Sequence, residues 1–396
     1  MYKPNYNDIL NTTSTPAYVF DIDVLRNRIQ FIKKILGDNI QICYAMKANP
    51  FVIGEIKDMI DRYEVCSPGE FQICERANIP MDKVVLSGVY KEAKDIQRII
   101  STYQDDILYT CESVNQFHLI QKVAYENKLN VNVLLRVTTG NQFGIDEKEL
   151  CELVEKRDQY PSVTIKGIQH FSGTQRKRLS KYEDELSYAD QLILTLKDYG
   201  FESEELEFGP GFYVEYFQNQ KPYDEVALME GFRKLLDDLS FQGTITLELG
   251  RFIAATCGSY YTQIVDMKKN HDITWCIVNG GMHQLNYFGQ MMAMKLPFYR
   301  HLKNRTIQGE ERSCNISGSL CTVNDNIVKG LPLCEPEIGD ILEFQNTGAY
   351  CMYEGISMFL SRDLPKIYLY SKKEGLTLMR DTFETNVLNY KSIGGK

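Results

Sequence analysis

Short apolar, β-branched runs alternate with longer amphipathic stretches from about residue 24 to residue 250, and this alternation constrains the fold more than any other feature. The pattern is typical of repeated strand-helix units around a parallel sheet. Eight strands are predicted, at residues 40–46, 63–66, 83–87, 107–110, 131–137, 163–171, 205–208 and 244–249. Helices are predicted between them, for example at 25–36, 68–77 and 182–199. Eight such units in one run predict a closed (β/α)8 barrel over residues 24–256.

Beyond about residue 256 the pattern changes to strands without long helices between them, which indicates a second, mainly β domain. These strands are predicted at residues 260–267, 273–278, 340–345 and 366–370. The early run Ala17-Tyr18-Val19-Phe20 precedes the first barrel helix and is predicted to pair with this domain. The expected fold class is therefore α/β, with a barrel and a C-terminal β-rich domain made of residues 257–396 together with 1–23.

The composition narrows the class of protein. A length of 396 residues is enough for two or three domains, and 43% hydrophobic with 24% charged residues is typical of a globular protein. The formal net charge of -9 disfavours nucleic acid as a partner. No apolar run is long enough to span a bilayer, and the first eight residues carry no signal-peptide core, so no membrane contact and a cytoplasmic location are expected. The 11 cysteines have no metal-ligand spacing, so no metal site is expected.

The carboxyl ends of the barrel strands are where an active site is expected. The first predicted strand leads into Tyr44-Ala45-Met46-Lys47-Ala48-Asn49, which places an amine at the mouth of the barrel. Lys47 is suitably placed to form a Schiff base with a carbonyl compound. The alternative is an ordinary exposed lysine at the end of a strand.

Two further motifs follow the seventh and eighth predicted strands. Glycines in Glu207-Phe208-Gly209-Pro210-Gly211-Phe212 allow backbone N–H groups to close on a phosphate, although such a stretch also forms simple turns. Glu248-Leu249-Gly250-Arg251 supplies an anion and a cation at the same mouth. Glu248 is suited to a protonated ring nitrogen and Arg251 to a phosphate or carboxylate, unless the two form only a local ion pair.

These motifs occur in the same order, with Gly173-Thr174, the segment 318–325 and Gly348-Ala349-Tyr350, in a known family. The chain resembles, over nearly its whole length, the fold-type-III decarboxylases that use pyridoxal 5′-phosphate (PLP), the ornithine/diaminopimelate decarboxylase family. The resemblance implies an alanine-racemase-like barrel, PLP as the cofactor and α-decarboxylation of an amino acid as the reaction. A racemase is the other enzymatic alternative, and the segment from Cys321 to Asp325 and the chain length favour decarboxylation.

The resemblance also implies roles for individual residues. Lys47 would attach PLP covalently, and Glu248 would keep the pyridine nitrogen protonated. Cys321 and Asp325 would reach the site from the partner subunit as catalytic residues, so a homodimer with shared active sites is expected. The alternative for Cys321 is a buried small hydrophobe. The other residues implied to bind the cofactor are Arg136, Phe171, Thr174, Gly209, Gly211, Gly250, Arg251 and Tyr350.

The chain departs from the family pattern at four positions. Phe171 stands where a histidine usually stacks on the cofactor, and His170 is placed on the opposite face of the strand. Pro210 replaces a middle glycine, Leu249 replaces a proline and Gln142 replaces a common lysine. None of these changes removes the groups that carry the chemistry.

The substrate is constrained by two positions where charges are missing. Thr322 and Leu296 stand where diaminopimelate decarboxylases carry an acid and an arginine, and Thr322 and Arg251 are predicted to bind the substrate. The stretches 280–285, 288–291 and 320–322 instead resemble the subgroup of the butirosin-pathway glutamyl-carrier-protein decarboxylase. A glutamyl-type or carrier-linked amino acid of secondary metabolism, including antibiotic biosynthesis, is therefore expected. Diaminopimelate decarboxylation in lysine biosynthesis is the alternative, and a non-catalytic binding homologue is the alternative of another class.

Four cations, Arg176, Lys177, Arg178 and Lys181, follow Thr174 closely in the sequence. One hypothesis is a docking site for an acidic carrier protein at the mouth of the barrel. The alternative is a solvated basic turn that leads into a helix.

Overall fold

The structure is a computed structural model that describes residues 14–221, 223–303, 305 and 309–390. The first 13 residues, on which the expectation about a signal peptide rests, lie outside the described residues. The described chain divides into two compact units. One contains residues 28–213 and 223–253, and the other contains residues 14–27, 214–221 and the described part of 254–390. No helix within the described residues is long and apolar enough to cross a membrane.

The first unit is the predicted barrel. Its eight strands run parallel and close in sequence order, each pairing with the next and the last pairing with the first. The strands are β2 Ile40–Ala45, β3 Arg62–Val65, β4 Val84–Leu86, β5 Leu108–Cys111, β6 Val131–Arg136, β7 Val163–Phe171, β8 Glu205–Gly209 and β9 Thr244–Leu249. The predicted fold class is confirmed, because these are the eight predicted strands with shifts of at most one residue at their ends.

Helices connect the strands of the barrel and present apolar faces to them. In the helix Ala93–Tyr103, the buried residues Ile96, Ile99 and Ile100 have the spacing of one helical face. The helix Pro68–Arg76 begins with a Ser67 side chain that accepts the Glu70 N–H at 3.2 Å. The helices are α1 Ile22–Leu36, α2 Pro68–Arg76, α3 Ala93–Tyr103, α4 Val114–Glu126, α5 Glu147–Glu155, α6 Leu179–Asp198, α7 Glu225–Asp237 and the short α8 Arg251–Ala254.

The second unit is a mainly β structure built from both ends of the described chain. Strand β1, Ala17–Asp21, pairs antiparallel with β10 and parallel with β16, which confirms the predicted pairing of the early apolar run. The other strands are β10 Gly258–Asn270, β11 Ile273–Val278, β12 Tyr299–Leu302, β13 Glu311–Ser317, β14 Asn326–Cys334, β15 Ile341–Gln345, β16 Lys366–Ser371 and β17 Gly375–Arg380. Strands β12, β13, β14 and β17 were not predicted.

Candidate active site

The turn after β2 places Lys47 at the carboxyl end of the barrel. Strand β2 ends at Ala45, and Met46–Ala48 forms a single 3-10 turn. Lys47 Nζ lies 2.5 Å from Glu64 Oε2 and 3.2 Å from Glu248 Oε1. The Lys47 amine is therefore held between two acids that come from β3 and β9.

Glu248 is one of these acids and was predicted to face the cofactor. It is buried, with 9% of its surface exposed. Burial, and then the neighbouring Glu64 carboxyl, raise the pKa of Glu248 above its usual range, while Lys47 and Arg136 oppose the change. The protonation state of Glu248 therefore depends on the cations near it.

Glu64 is the second acid and was not predicted. It is 2% exposed, and it pairs with Ala45 in the register of β2 and β3. Cys66 Sγ lies 3.1 Å from Glu64 Oε1 and 3.6 Å from Lys47 Nζ. A carboxylate next to the Lys47 amine gives the site a group that can hold a proton beside it.

The glycine turn after β8 lies against the loop after β7. Gly211 is in the left-handed region at φ +56, and a Cβ there would stand 2.0 Å from Gly173 O and 2.8 Å from Thr174 Cα. The Arg176 N–H donates to Gly211 O at 3.0 Å. The structure thus brings Thr174 and Gly211 together, and only glycine allows this approach.

Aromatic and cationic side chains line the same mouth on β6, β7 and β8. A Cβ on Gly209 would stand 2.2 Å from Phe171 Cδ2, so the absence of a side chain leaves room for the Phe171 ring. Arg136 Nη1 donates to Glu112 Oε2 at 3.0 Å, and its guanidinium carbon lies 5.9 Å from the Phe171 ring centroid and 4.7 Å from that of Phe143. Phe171 and Arg136 are therefore neighbours at the carboxyl ends of β6 and β7.

His170 points away from Phe171. Its ring stacks on Phe208 at 5.6 Å between centroids and lies 5.8 Å from Tyr188 of α6. Burial lowers the pKa of His170 to about 4, so the ring is neutral at physiological pH. His170 therefore belongs to the packing between barrel and helices.

The end of β9 approaches the Lys47 turn closely. A Cβ on Gly250 would stand 3.1 Å from both Ala45 O and Ala48 Cβ. Arg251 opens α8 and is 8% exposed. Gly250 thereby allows the strand that carries Glu248 to pack beside the turn that carries Lys47.

A second layer of polar groups lies below Glu248 and was also not predicted. Gln169 Nε2 donates to Glu207 Oε1 at 2.6 Å and to Glu248 Oε2 at 3.3 Å. Glu207 is fully buried, and burial followed by the Glu248 and Glu205 charges raises its pKa well above the usual range. The Glu248 carboxyl is therefore fixed from above by Lys47 and from below by Gln169.

The predicted residues of the segment 318–325 lie in the β-rich unit. Asp325 is buried and accepts the backbone N–H groups of Met282 and Leu320, both at 2.7 Å. Cys321 is exposed and Thr322 is partly exposed. Asp325 thus holds the loop that presents Cys321 and Thr322 to solvent.

Tyr350 lies in the same unit, in a loop that packs tightly on β10. A Cβ on Gly258 would stand 2.3 Å from Gly348 Cα, and the Gly348 N–H donates to Ala255 O at 2.9 Å. Tyr350 itself adopts a left-handed conformation at φ +64, which non-glycine residues rarely do. The surrounding loop thus holds Tyr350 in a conformation that costs energy.

The profile of the family described as "Pyridoxal-dependent decarboxylase, pyridoxal binding domain" matches residues 22–255, which contain the whole barrel. The chain belongs to this family. It is thus a PLP-dependent decarboxylase, that is, a carboxy-lyase, and the predicted family, enzyme class and cofactor are confirmed.

Three relatives illustrate the range of names within this decarboxylase family. The diaminopimelate decarboxylase of Methanocaldococcus jannaschii is 25% identical over 403 residues, covering 93% of this chain and 88% of the relative. The Staphylococcus aureus 2-((L-alanin-3-ylcarbamoyl)methyl)-2-hydroxybutanedioate decarboxylase is 26% identical over 388 residues, covering 90% and 94%. The L-glutamyl-(BtrI acyl-carrier protein) decarboxylase of Niallia circulans is 23% identical over 378 residues, covering 89% and 87%.

A solved structure of the diaminopimelate decarboxylase from M. jannaschii in complex with L-lysine has the same fold. Its TM-score is 0.84 at 24% identity, and the match covers 98% of this chain and 94% of that one. The likeness extends through both the barrel and the β-rich unit.

The residues at the mouth of the barrel fit PLP. Its aldehyde requires a primary amine, and Lys47 Nζ is held at the end of β2. A protonated pyridine nitrogen requires a buried carboxylate, and Glu248 is 9% exposed. A phosphate requires backbone N–H groups that side chains do not cover, and Gly173 and Gly211, which lack a Cβ, lie next to each other in two loops.

The four basic residues after Thr174 are less available than the docking hypothesis requires. Arg176 forms an ion pair with Glu185, and Lys181 Nζ lies 3.6 Å from Asp184 Oδ2. Lys177 and Arg178 are exposed, with Lys177 Nζ 4.4 Å from the Tyr213 ring centroid. Two of the four cations are therefore paired with acids of α6.

Proposed function

We propose that this decarboxylase acts at the α-carbon of an amino acid whose distal group is neutral or acyl-linked, such as a glutamyl unit joined through its side-chain carboxyl to a carrier. The observation that carries the reaction is the amine of Lys47 between Glu64 and Glu248, at 2.5 and 3.2 Å. When bound, PLP supplies an electron sink for the bond that breaks at Cα. The protein has to attach the cofactor, orient the substrate and deliver a proton near Cα.

The predicted site residues divide this work. Lys47 attaches the cofactor, and Glu248 holds a proton at its ring nitrogen. Thr174, Gly211, Gly250 and Tyr350 bind its phosphate. Arg136, Phe171 and Gly209 define the space beside the ring, and Arg251 binds the phosphate or the substrate carboxylate. The close packing of Gly211 on Gly173 supports the phosphate assignment, because neither residue has a side chain at the point where the two loops meet.

We further propose that the active site is shared between two subunits of a homodimer. Cys321 of one subunit delivers a proton near Cα in the site of the other, and Asp325 holds the Cys321 loop in place. The exposure of Cys321, in contrast to the burial of Asp325, supports this division of roles. A thiol that must act on another subunit has to lie on the surface of its own.

The preference for an uncharged distal group follows from the groups near Thr322 and Leu296 in sequence. Thr322 supplies only a hydroxyl, and a desolvated ammonium without a partner costs several kcal/mol. Arg300 forms an ion pair with the buried Glu343, and Lys295 Nζ lies 5.0 Å from the Phe217 ring centroid. Both of these nearby cations thus have a contact of their own, which supports the absence of a guanidinium for a distal carboxylate at Leu296.

The relatives support acyl-linked substrates without selecting one. The names of the S. aureus and N. circulans relatives describe an amide-linked and a carrier-linked amino acid, at 26% and 23% identity. Diaminopimelate remains the second candidate, because the M. jannaschii relative of that name is 25% identical over nearly the whole chain.

Release of carbon dioxide distinguishes these candidates. The wild-type enzyme is offered a γ-linked glutamyl thioester, ornithine, lysine and meso-diaminopimelate, with Lys47→Ala as the inactive control. We expect the glutamyl thioester to be the best substrate by kcat/KM. A kcat/KM for meso-diaminopimelate of about 10⁴ M⁻¹s⁻¹ or more would contradict the proposal and favour lysine biosynthesis.

A further inference from the structure

The barrel interior contains a buried carboxyl that the proposed chemistry does not use. Glu207 lies on β8, one layer below Glu248, and is 0% exposed. Its Oε1 accepts a hydrogen bond from Gln169 Nε2 at 2.6 Å. Its Oε2 is buried and has no hydrogen-bond partner among the described residues. A carboxyl in this position requires a physical explanation.

The charged groups around Glu207 leave it without a cation of its own. Those that influence it are Cys43 from β2, Arg62 and Glu64 from β3, Glu205 from β8 and Glu248 from β9. The one cation in this set, Arg62, forms an ion pair with Glu205, which also accepts the Thr246 hydroxyl at 2.9 Å. An ionised Glu207 would therefore be a buried charge surrounded by other acids, which is strongly unfavourable.

Gln169 shows how a neutral Glu207 is accommodated. Its amide nitrogen has two N–H groups, one for Glu207 Oε1 and one for Glu248 Oε2, at 2.6 and 3.3 Å. Its Oε1 is buried and accepts no hydrogen bond from the described residues. A protonated Glu207 has a hydroxyl group, and a hydrogen-bond donor of this kind is what Gln169 Oε1 lacks.

We propose that Glu207 is a positioning residue of the PLP site, which keeps its proton at neutral pH and, through Gln169, fixes the orientation of the Glu248 carboxyl. With Glu207 neutral, Gln169 is locked so that its second N–H points to Glu248 Oε2. Glu248 is then the acid that carries the negative charge opposite a cation. The inference rests on the proposed role of Glu248 at the cofactor ring, and it adds two residues to the site.

The protonation state is tested by infrared difference spectroscopy on the full-length protein purified with PLP. The spectrum of Glu207→Gln is subtracted from that of the wild type at neutral pH. We expect the wild type to show an additional band from a protonated carboxyl that shifts in heavy water. A carboxylate band in its place would overturn the proposal. Glu204→Gln, at an exposed carboxyl paired with Lys166, is the matched control for the exchange of acid for amide.

The positioning role is tested by titrating PLP into the full-length chain from which the cofactor has been removed. Glu207→Leu leaves Gln169 without its partner, and we expect PLP to bind about tenfold more weakly or worse, the size of one lost hydrogen bond. Glu207→Gln reproduces the shape and neutrality of the protonated acid and should restore binding to within about twofold of the wild type.

Each outcome of the titration supports or overturns the proposal. Wild-type affinity in Glu207→Leu would remove the positioning role. A loss in Glu207→Gln as large as that in Glu207→Leu would show that a charge at Glu207 is required. If Glu207→Leu does not fold, the infrared result and Glu207→Gln still decide. Neither measurement uses a substrate, so an error in the proposed substrate leaves both results intact.

Discussion

The contact between Gly211 and the loop after β7 allows a prediction of defined size. In Gly211→Ala the new Cβ would stand 2.0 Å from Gly173 O, so the backbone around Gly173 and Thr174 has to move. The residue would also keep a left-handed conformation at φ +56, which costs about 1–2 kcal/mol for alanine. If the movement removes one charge-assisted hydrogen bond to the phosphate, about 1.5–3 kcal/mol of binding is lost. We therefore expect PLP to bind about 10- to 100-fold more weakly.

Gly375→Ala is the matched control. Gly375, the first residue of β17, also has a positive φ, +72, but nothing lies within 4 Å of its Cβ position. This variant should show the conformational cost in its stability and retain wild-type affinity for PLP. The assay is titration of PLP into both cofactor-free variants, followed by absorbance. PLP affinity in Gly211→Ala within about twofold of the wild type would refute the phosphate assignment.

Three further predictions concern the dimer, the basic turn and the response to acid. Mixed dimers of the inactive variants Lys47→Ala and Cys321→Ala should regain part of the wild-type activity after subunit exchange, and verified mixed dimers without activity would contradict a shared site. If the basic turn docks a carrier protein, reversing the exposed charges of Lys177 and Arg178 should raise the KM for a carrier-bound substrate and leave the KM for a free substrate unchanged. Equal effects on both KM values would contradict the docking role. His170 has its pKa lowered from 6.5 to about 4, so the unfolded chain holds more protons than the folded chain between these values. The free energy of unfolding should therefore fall as the pH falls through this window, and His170 should contribute about 3 kcal/mol of this loss. In urea titrations over the same pH range, His170→Leu should lose less stability than the wild type. Identical losses in the two proteins would contradict the assignment.

The barrel was predictable because most of its strands are short apolar runs and most are followed by an amphipathic helix. Strand β7, Val163–Phe171, and strand β9, Thr244–Leu249, have the predicted bounds. Four strands of the β-rich unit were missed because their sequences mix charged and apolar residues. Strand β12, for example, reads Tyr-Arg-His-Leu, and all four of its residues are only partly buried. Such strands are defined by their partners, which the local pattern does not identify.

Site residues were predicted where they belong to a recognisable motif, and they were missed where a polar residue within a strand carried no such signal. Lys47 and Glu248 belong to motifs at the ends of β2 and β9. Glu64, Gln169 and Glu207 lie within strands, where polar residues usually face solvent. Closure of the barrel turns these three side chains inward, to 2%, 1% and 0% exposure. The sequence did contain one signal for such residues, because an acidic residue recurs near the carboxyl ends of several predicted barrel strands.

The position of β1 between β10 and β16 has a consequence for synthesis of the chain. Ala17 pairs with Tyr261 on one side and with Lys366 on the other, so β1 leaves the ribosome long before either partner exists. Residues 40–249 of the barrel are made in the meantime, and the early strand has to wait with both edges unpaired. A nascent chain that stops before β16 would keep one of these edges open to pairing with other chains. The sheet is complete only when nearly the whole chain has emerged, so premature termination should produce aggregation rather than a smaller folded enzyme.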